Sequence, residues 1–549
     1  MKHQRPISAY LTTTAALLAT LFPTQAQADP DSASQEAPAK QASPEPESSA
    51  ESVPESVTAS PNADVAEMDA LRSELEALRA DLDAEKKARE EADAAHAAAD
   101  AGEGEAEGEE KKEERTDDKK EEAENPLVPE GQEEAFGKHP VENDKSYWKP
   151  GTGLTMSSED GRFMLATRLR MQLRYAVEAE NTEDEDNEGE YDTEVSHMYQ
   201  IRRARLQFKA HAWNPHNKMK VEFAFSPRDL SMDDDRVPHR TPLLTWYFEF
   251  DHLRDFTVRA GQYKIPYSRQ RVVSSGNLQL VDRALAQGEF NHDRDIGFDF
   301  RSKDLGGLGG KLRYYAGVYM GEGRDFGDRN GQTDFGLHYL ARFEVLPFGK
   351  FKDYSEADFE RMQKPGLSLG ATYSFHDDSQ GLRGVLGGTP SDGGVTDYHS
   401  ATADYMFKYK GFSSTGEFFW RKGRRFAGDA MIEDPNDPTM MIPAPVEAAR
   451  NGVGWFAQAG YLIPRMPLEV AARYSGIRGI GDEDPGDVTD EVETDTMTSL
   501  GQRDSVGGGV SYYFAGHPWK IQADYFKQWN EGVLKDGAHI ARVQLQLAF

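Results

Sequence analysis

The run YQIRRARLQFKAHAW, residues 199–213, decides the fold. Ala204, Leu206, Phe208, Ala210 and Ala212 alternate with Arg203, Arg205, Gln207, Lys209 and His211. Successive side chains of a strand point to opposite faces, so a period of two makes a strand with one apolar and one cationic face. Such a strand sits between a core and water, or between lipid and a water-filled lumen. The surrounding sequence has to discriminate between the two.

The run RFMLATRLRMQLRYAV (162–177) repeats the pattern. Phe163, Leu165, Leu169, Met171, Leu173, Tyr175 and Val177 share one face, and Arg168, Arg170, Gln172 and Arg174 share the other. Next come a long acidic segment (178–196), the opening strand, a short NPHNK turn, MKVEFAFS with Lys220, a further long segment, LLTWYFEFD, the turn HLRD, and FTVRAGQY. Long and short connections alternate, as in antiparallel barrels with long outer loops and short periplasmic turns. Further strands are predicted near 295–303, 311–320, 335–346, 366–376, 397–409, 412–422, 453–463, 467–476, 504–514, 519–529 and 539–549. The GGLGG at 306–310 reads as a turn between two of them. The total is about sixteen, an even number, and a barrel of that size encloses an aqueous channel. The final strand, HIARVQLQLAF, alternates up to Phe549. Tyr175, Trp213, Trp246, Trp420, Trp455 and Trp529 lie near strand ends, where interfacial girdles stand. A soluble sandwich or propeller accounts for the strands but not for these girdle positions.

The 549 residues include no cysteine, which excludes thiolate metal sites and thiol catalysis. Apolar residues make up 38%, and no internal run of about eighteen of them exists to form a spanning helix. A barrel needs only alternate residues to face lipid. Residues 1–28 combine Lys2 and Arg5, an apolar stretch near Leu11–Phe22 and Ala26-Gln27-Ala28, the pattern of a secretory signal peptide. Residues 29–62, rich in Ser, Pro, Glu and Ala, are expected to be disordered. Over 63–98, Met68, Leu71, Leu75, Leu78 and Leu82 form a short coiled-coil seam, expected to act as a periplasmic stalk. Residues 99–150 read as an acidic linker and 151–549 as the barrel. The net charge of −32 is concentrated in 29–145, which holds about 36 acids against about 13 bases, so residues 146–549 carry only about −11. The balance disfavours nucleic acid as a partner and leaves an anionic ligand open.

YQIRRARLQFKAHAW, KMKVEFAF, FTVRAGQYKIPYSRQ, RDIGFDF, YLARFEVLPFG, YKGFSSTGEFFW, GWFAQAGYLI and RVQLQLAF resemble the phosphate-selective porin O and P family. The resemblance spans about 150–549. It implies a sixteen-stranded, trimeric outer-membrane porin with an arginine-lined, anion-selective channel, and a third outer loop folded into the lumen as its constriction. The long segment 264–294 is the candidate for that loop.

The polar faces of the first three strands carry Arg168, Arg170, Arg174, Arg203, Arg205, Lys209 and Lys220. The loop adds Lys264, Arg269, Arg271, Arg283 and Arg294, beside Asp282, Glu289, Asp293 and Asp295. Rings of Arg and Lys select anions, and several weak sites in series permit both entry and release. Arginine offers phosphate a planar fork and stays charged. The opposing reading pairs these cations with lumen carboxylates such as Glu222, Asp299 and Glu417. The acidic loops NTEDEDNEGE, SMDDD and GDEDPGDVTDEVETD keep the surface solvated or hold divalent cations between lipopolysaccharide molecules. They would repel anions at the mouth.

The expectation is a passive porin for small anions, with phosphate favoured. Its partners would be outer-membrane lipid and lipopolysaccharide, and it would assemble as a homotrimer. The stalk would reach the cell wall. A general or cation-preferring porin and an envelope-tethering structural protein are the alternatives. No cofactor or metal is called for: HDRD at 292–295 and the scattered histidines have no ligand spacing, and no Gly-x-Ser-x-Gly elbow marks an enzyme.

Overall fold

The computed structural model describes residues 146–149, 151–183, 191–232, 237–325, 336–434, 437–483 and 496–549. The segments expected over 1–28, 29–62 and 63–98 lie outside these residues, as does most of the acidic linker.

Sixteen antiparallel strands form the wall. They are β1 (Met164–Glu183), β2 (Tyr191–Ala212), β3 (Asn214–Ala224), β4 (Leu243–Leu253), β5 (Phe256–Lys264), β6 (Arg294–Ser302), β7 (Leu312–Tyr319) and β8 (His338–Val345). The second half is β9 (Gly366–Ser379), β10 (Val395–Tyr409), β11 (Phe412–Phe426), β12 (Gly452–Leu462), β13 (Leu468–Gly479), β14 (Arg503–Ala515), β15 (Trp519–Asn530) and β16 (Gly537–Ala548). Each pairs with its neighbours in sequence, and β16 returns to pair with β1, Ala548 opposite Arg170 and Gly537 opposite Asn181. Closure leaves no free sheet edge, which a bilayer demands because lipid offers backbone groups no hydrogen bonds.

Burial distinguishes this barrel from a soluble sheet. In β8, Arg342 and Glu344 are buried, with Glu344 at 0% exposure, while Phe343 between them is 44% exposed. In β16, Gln544 and Gln546 are buried while Val543, Leu545 and Leu547 face outward. Polar side chains fill the inside and apolar ones cover the outside, the pattern of a wall solvated by lipid.

The linker ends earlier than expected. Ser146–Lys149 and Gly153–Ser157 form a hairpin whose second strand pairs with Met164–Thr167. Phe549 bonds Leu169, so the β1 backbone below that point has no partner from β16. The hairpin satisfies those groups. Gly153 allows the approach: at φ +87 a Cβ would lie 1.9 Å from the Thr167 carbonyl oxygen.

One β-bulge bears on the lumen. Gln172 of β1 pairs with Arg203, but the next residue, Leu173, pairs with Ile201, so Arg202 is an extra residue in β2. Both Arg202 and Arg203 are buried, while Ile201 on the other side of the bulge is exposed outward.

The segment 265–293 leaves the wall between β5 and β6 and folds across the interior. It includes short helices Arg269–Val272 and Leu285–Phe290. Ile265, Tyr267, Ala284, Ala286 and Phe290 pack into one apolar cluster with Tyr319, Leu340, Phe419, Phe456 and Ile477 of the wall. Polar anchors run along the same side. Arg269 meets Asp404 at 2.6 Å and Asp353 at 3.0 Å, the Ser268 hydroxyl donates to Glu417 at 2.7 Å, and Gln279 donates to Glu469 at 2.6 Å. Asp524 accepts from the Val281 amide at 2.9 Å, and Glu289 meets Arg421 at 2.7 Å. The connection 346–365, on the rim of short turns, also turns inward, and Glu356 accepts from the Gln279 amide at 2.8 Å.

Candidate functional site

Because the loop is fastened to β10–β15, space remains between it and the wall near β2. A cavity of about 220 Å³ lies there. Ten cations line it: Arg202, Arg203 and Arg205 from β2; Arg228 and Arg240 from the connection 225–242; Lys264, Arg271, Arg283 and Arg294 from the loop and its roots; and Arg324 from the connection after β7. Two carboxylates, Asp229 and Asp293, and the hydroxyls of Ser231 and Ser275 complete its polar lining.

The carboxylates neutralise part of this set. Arg205 holds Asp229 through two nitrogens, at 2.8 and 3.1 Å, and reaches Glu222 at 3.4 Å. Asp293 accepts from Arg271 at 2.9 Å and Arg294 at 3.2 Å. Burial pushes the Asp293 carboxyl up, but Arg271 and Arg294 beside it more than offset this and hold it below the usual carboxylate range.

Arg203, Lys264 and Arg283 are held differently. Arg203 donates to the Gln172 side-chain oxygen at 2.8 Å. Lys264 donates to the Arg271 carbonyl at 2.6 Å and the Val273 carbonyl at 3.3 Å. Arg283 donates to the Gln270 and Val273 carbonyls at 2.9 and 2.8 Å. Among the described residues, none of these three has a carboxylate within ion-pair distance. Neutral oxygens fix their positions, and carboxylates act on them only from beyond ion-pair distance. Burial, then Arg271 beside it, draws the Arg283 guanidinium below its usual range. That is the sign of a charge short of counter-charge.

The cations grade along the channel. Arg228 and Arg240 are exposed at the outer mouth; Arg202, Arg203, Arg205, Arg294 and Arg324 are buried, Lys264, Arg271 and Arg283 beside them half-buried, and Arg168, Lys209 and Lys220 half-buried towards the short-turn rim. Arg170 stands directly opposite Arg205 in the β1–β2 register, and Lys209 opposite Lys220 in β2–β3. Like charges placed directly opposite destabilise a sheet, and Glu222, which meets both Arg205 and Lys220, offsets part of that cost.

Of the cations expected to see the permeant ion, Arg203, Arg205, Lys264, Arg271, Arg283 and Arg294 line the cavity. Arg168, Lys209 and Lys220 lie below it, with Lys220 paired to Glu222 at 3.1 Å. Arg170, Arg174 and Arg269 lie outside the lining. Arg170 donates to Ser274 at 2.9 Å, and Arg174 joins the wall to the loop through Asp282 at 2.9 Å. Arg269 is 1% exposed among three carboxylates and fastens the loop to the opposite wall. Glu222 does pair with wall cations, Asp299 meets Arg301, and Glu417 holds the loop. Four lining arginines were not anticipated. Arg202 is turned inward by the bulge, against the alternation of its strand. Arg228, Arg240 and Arg324 lie on connections, where no periodicity marks a face.

A closed sixteen-strand barrel with an apolar outer belt, a polar lumen and an inward-folded loop defines an outer-membrane porin: a channel, rather than an enzyme. The comparisons give the family. A model of phosphate-selective porin O and P matches residues 169–549, and the chain belongs to that family. An uncharacterized protein of Aquifex aeolicus (strain VF5) is 24% identical over 411 residues, 70% of this chain and 87% of that one. Among solved structures, an anion-selective porin from Comamonas acidovorans has 11% identity and a TM-score of 0.42, covering 70% of this chain and all of that one. Salmonella typhi OmpF, solved in complex with daunomycin, has 13% identity and a TM-score of 0.43, covering 72% of this chain and all of the other.

Proposed function

We propose that the chain forms a passive, anion-preferring channel with phosphate as its favoured ion. The reading rests on one observation: Arg203, Lys264 and Arg283 line the cavity beside the inward-folded loop, held by neutral oxygens and, among the described residues, without carboxylate partners. A permeating anion supplies the missing counter-charge. Arg228 and Arg240 collect it at the mouth, the set around Arg203 binds it, and Arg168, Lys209 and Lys220 pass it on. Several adjoining cationic positions keep any one of them from becoming a trap. The guanidinium forks of Arg203 and Arg283 suit tetrahedral oxyanions better than a spherical halide. Assembly as a homotrimer, contact with lipopolysaccharide and cell-wall contact through the N-terminal segment belong to the same proposal, and rest on the sequence seam and the acidic loops.

The test is the reversal potential of single channels in a planar bilayer under a KCl gradient, followed by titration with phosphate. An anion-selective potential, with chloride current inhibited by phosphate, is expected. A cation-selective or unselective pore indifferent to phosphate would refute the reading and favour the general porin.

A further inference from the structure

The outward face of the wall changes character along β15, β16, β1 and β2. Towards the short-turn rim it is apolar, with Ile521, Leu545, Leu547 and Met171 exposed. Towards the outer rim it carries Tyr525 and Lys527 on β15, His539 on β16, Tyr175 on β1 and His197 on β2. Tyrosine at the top of an apolar belt marks the level where hydrocarbon gives way to headgroups. The histidines and the lysine stand one outward position beyond the tyrosines.

Barrel closure builds this patch from both ends of the wall. Because β16 returns to β1, Tyr525, Ala541, Val177 and His197 fall in one row across four strands. With strands about 4.8 Å apart, the row is about 14 Å wide. Tyr175 reaches His197 diagonally, hydroxyl to Nδ1 at 3.0 Å, and Tyr525 reaches His539 in the same way at 2.6 Å. Their ring centres are 6.3 and 6.1 Å apart, so the two pairs repeat one arrangement. Between them lie Ala541, Val177 and Ala179, whose short side chains leave a shallow depression.

With each phenol as donor, Nδ1 is the acceptor and the ring proton sits on Nε2, turned away from the tyrosine. Lys527 stands opposite His539, and its ammonium has no hydrogen-bond partner among the described residues. The odd-numbered residues of 173–181, 193–201, 523–529 and 537–543 make up this face and include no acid. Donors without an acid to answer them, at headgroup level, suit an anion that arrives from the lipid side. A third pair, Tyr373 and His399, has the same geometry at 2.6 Å, but the carboxylates of Asp377, Asp378 and Asp397 converge within 4.8 Å of one another just beyond it.

We propose that the β15–β16–β1–β2 patch binds the phosphorylated headgroup of an outer-leaflet lipid. Lys527 and His539 hold a phosphate through charge-assisted hydrogen bonds. His197 donates to the same headgroup from across the depression, and the acyl chains run down the apolar belt below. Tyr175 and Tyr525 are positioning residues that fix the imidazoles. The proposal rests on the lipid contact of the reading above and deepens it, and it is independent of which ion the pore conducts.

The full chain, delipidated in detergent, is titrated with diphosphoryl lipid A and, separately, with the same lipid stripped of its phosphates, and the complexes are followed by native mass spectrometry. One saturable complex with the phosphorylated lipid is expected, and binding of the stripped lipid should be weaker by about tenfold or more. This comparison needs no variant. Lys527→Gln should weaken binding about fivefold, and His539→Gln should weaken it too. His399→Gln, beside the acids, is the control and should leave the affinity unchanged. Equal affinity for the two lipids, displacement of the lipid by inorganic phosphate, or loss in His399→Gln would overturn the proposal. So would a Lys527→Gln protein that keeps both its folded gel mobility and its lipid affinity. A Lys527→Gln protein that changes its number of subunits instead would make the patch a contact between copies of the chain and overturn it as well. The reversal potential should be the same in all these variants, so failure here leaves the channel reading standing, and failure of that reading leaves this one.

Discussion

Replacing Arg203 with Gln removes one charge from the cavity lining and disturbs little else, because Gln172, to which its side chain donates, is neutral and fixed on the adjacent strand. A cavity of 220 Å³ is equivalent to a sphere of radius about 3.7 Å. Allowing for the cation's own size, an ion at its centre stands about 6 Å from a lining charge. Two unit charges at that distance interact by about 0.7 kcal/mol at the dielectric of water and about 2.8 kcal/mol at an effective dielectric of 20. Arg203→Gln should therefore lower chloride occupancy by a factor between about 3 and about 100, at 1.4 kcal/mol per decade. The assay is the single-channel reversal potential at about 0.1 M salt, where the Debye length is about 10 Å and the charge is only partly screened. Near 1 M, with a Debye length of about 3 Å, the difference should shrink. Arg162→Gln removes the same charge from the exposed turn before β1 and serves as control. Equal selectivity in the two variants at low salt would refute the assignment of Arg203 to the ion path.

Arg269→Ala strips counter-charge from Asp404 and Asp353 beneath the loop. Breaking a buried pair costs about 3–5 kcal/mol, so the temperature at which the barrel loses its folded gel mobility should fall. Conductance should become noisier as the loop loosens, and a quiet channel of unchanged stability would count against the anchor. Phe343→Lys places a charge on the lipid face of β8 and should lower stability in refolding from urea into vesicles by about 2–4 kcal/mol if Phe343 lies near the bilayer midplane. A neutral outcome would put that residue in water. Because Asp293 is held below the usual carboxylate range, its pairs with Arg271 and Arg294 contribute stability that is fully present above the ordinary carboxylate value near 4 and lost only as the pH falls below it. Anion selectivity and gel mobility should thus be the same at pH 7 and pH 5 in the wild type. A transition between those values that Asp293→Asn abolishes would show the pairing to be weaker than its geometry.

Most of the wall was legible in the sequence. The alternations at 162–177, 199–213 and 539–549 imposed strands with one apolar and one polar face, and the rhythm of long and short connections imposed antiparallel closure. That is local information, since side-chain period and turn length depend only on near neighbours. The roles of individual cations were not local. Arg174 and Arg203 look alike along the chain, yet one is spent on Asp282 and the other lines the cavity, because the loop's fastening to β10–β15 decides which wall stays open. Arg269 and Arg283 lie in one loop and part company for the same reason. A single bulge turned Arg202 inward against its alternation. His197 and His539 stand far apart in sequence and share one outward patch only because β16 returns to pair with β1. The chain's periodicity determined that there is a lumen. Which side chains share it was settled by closure, register and the path of one inward loop, because the fields that bind or exclude an ion depend on distances through space.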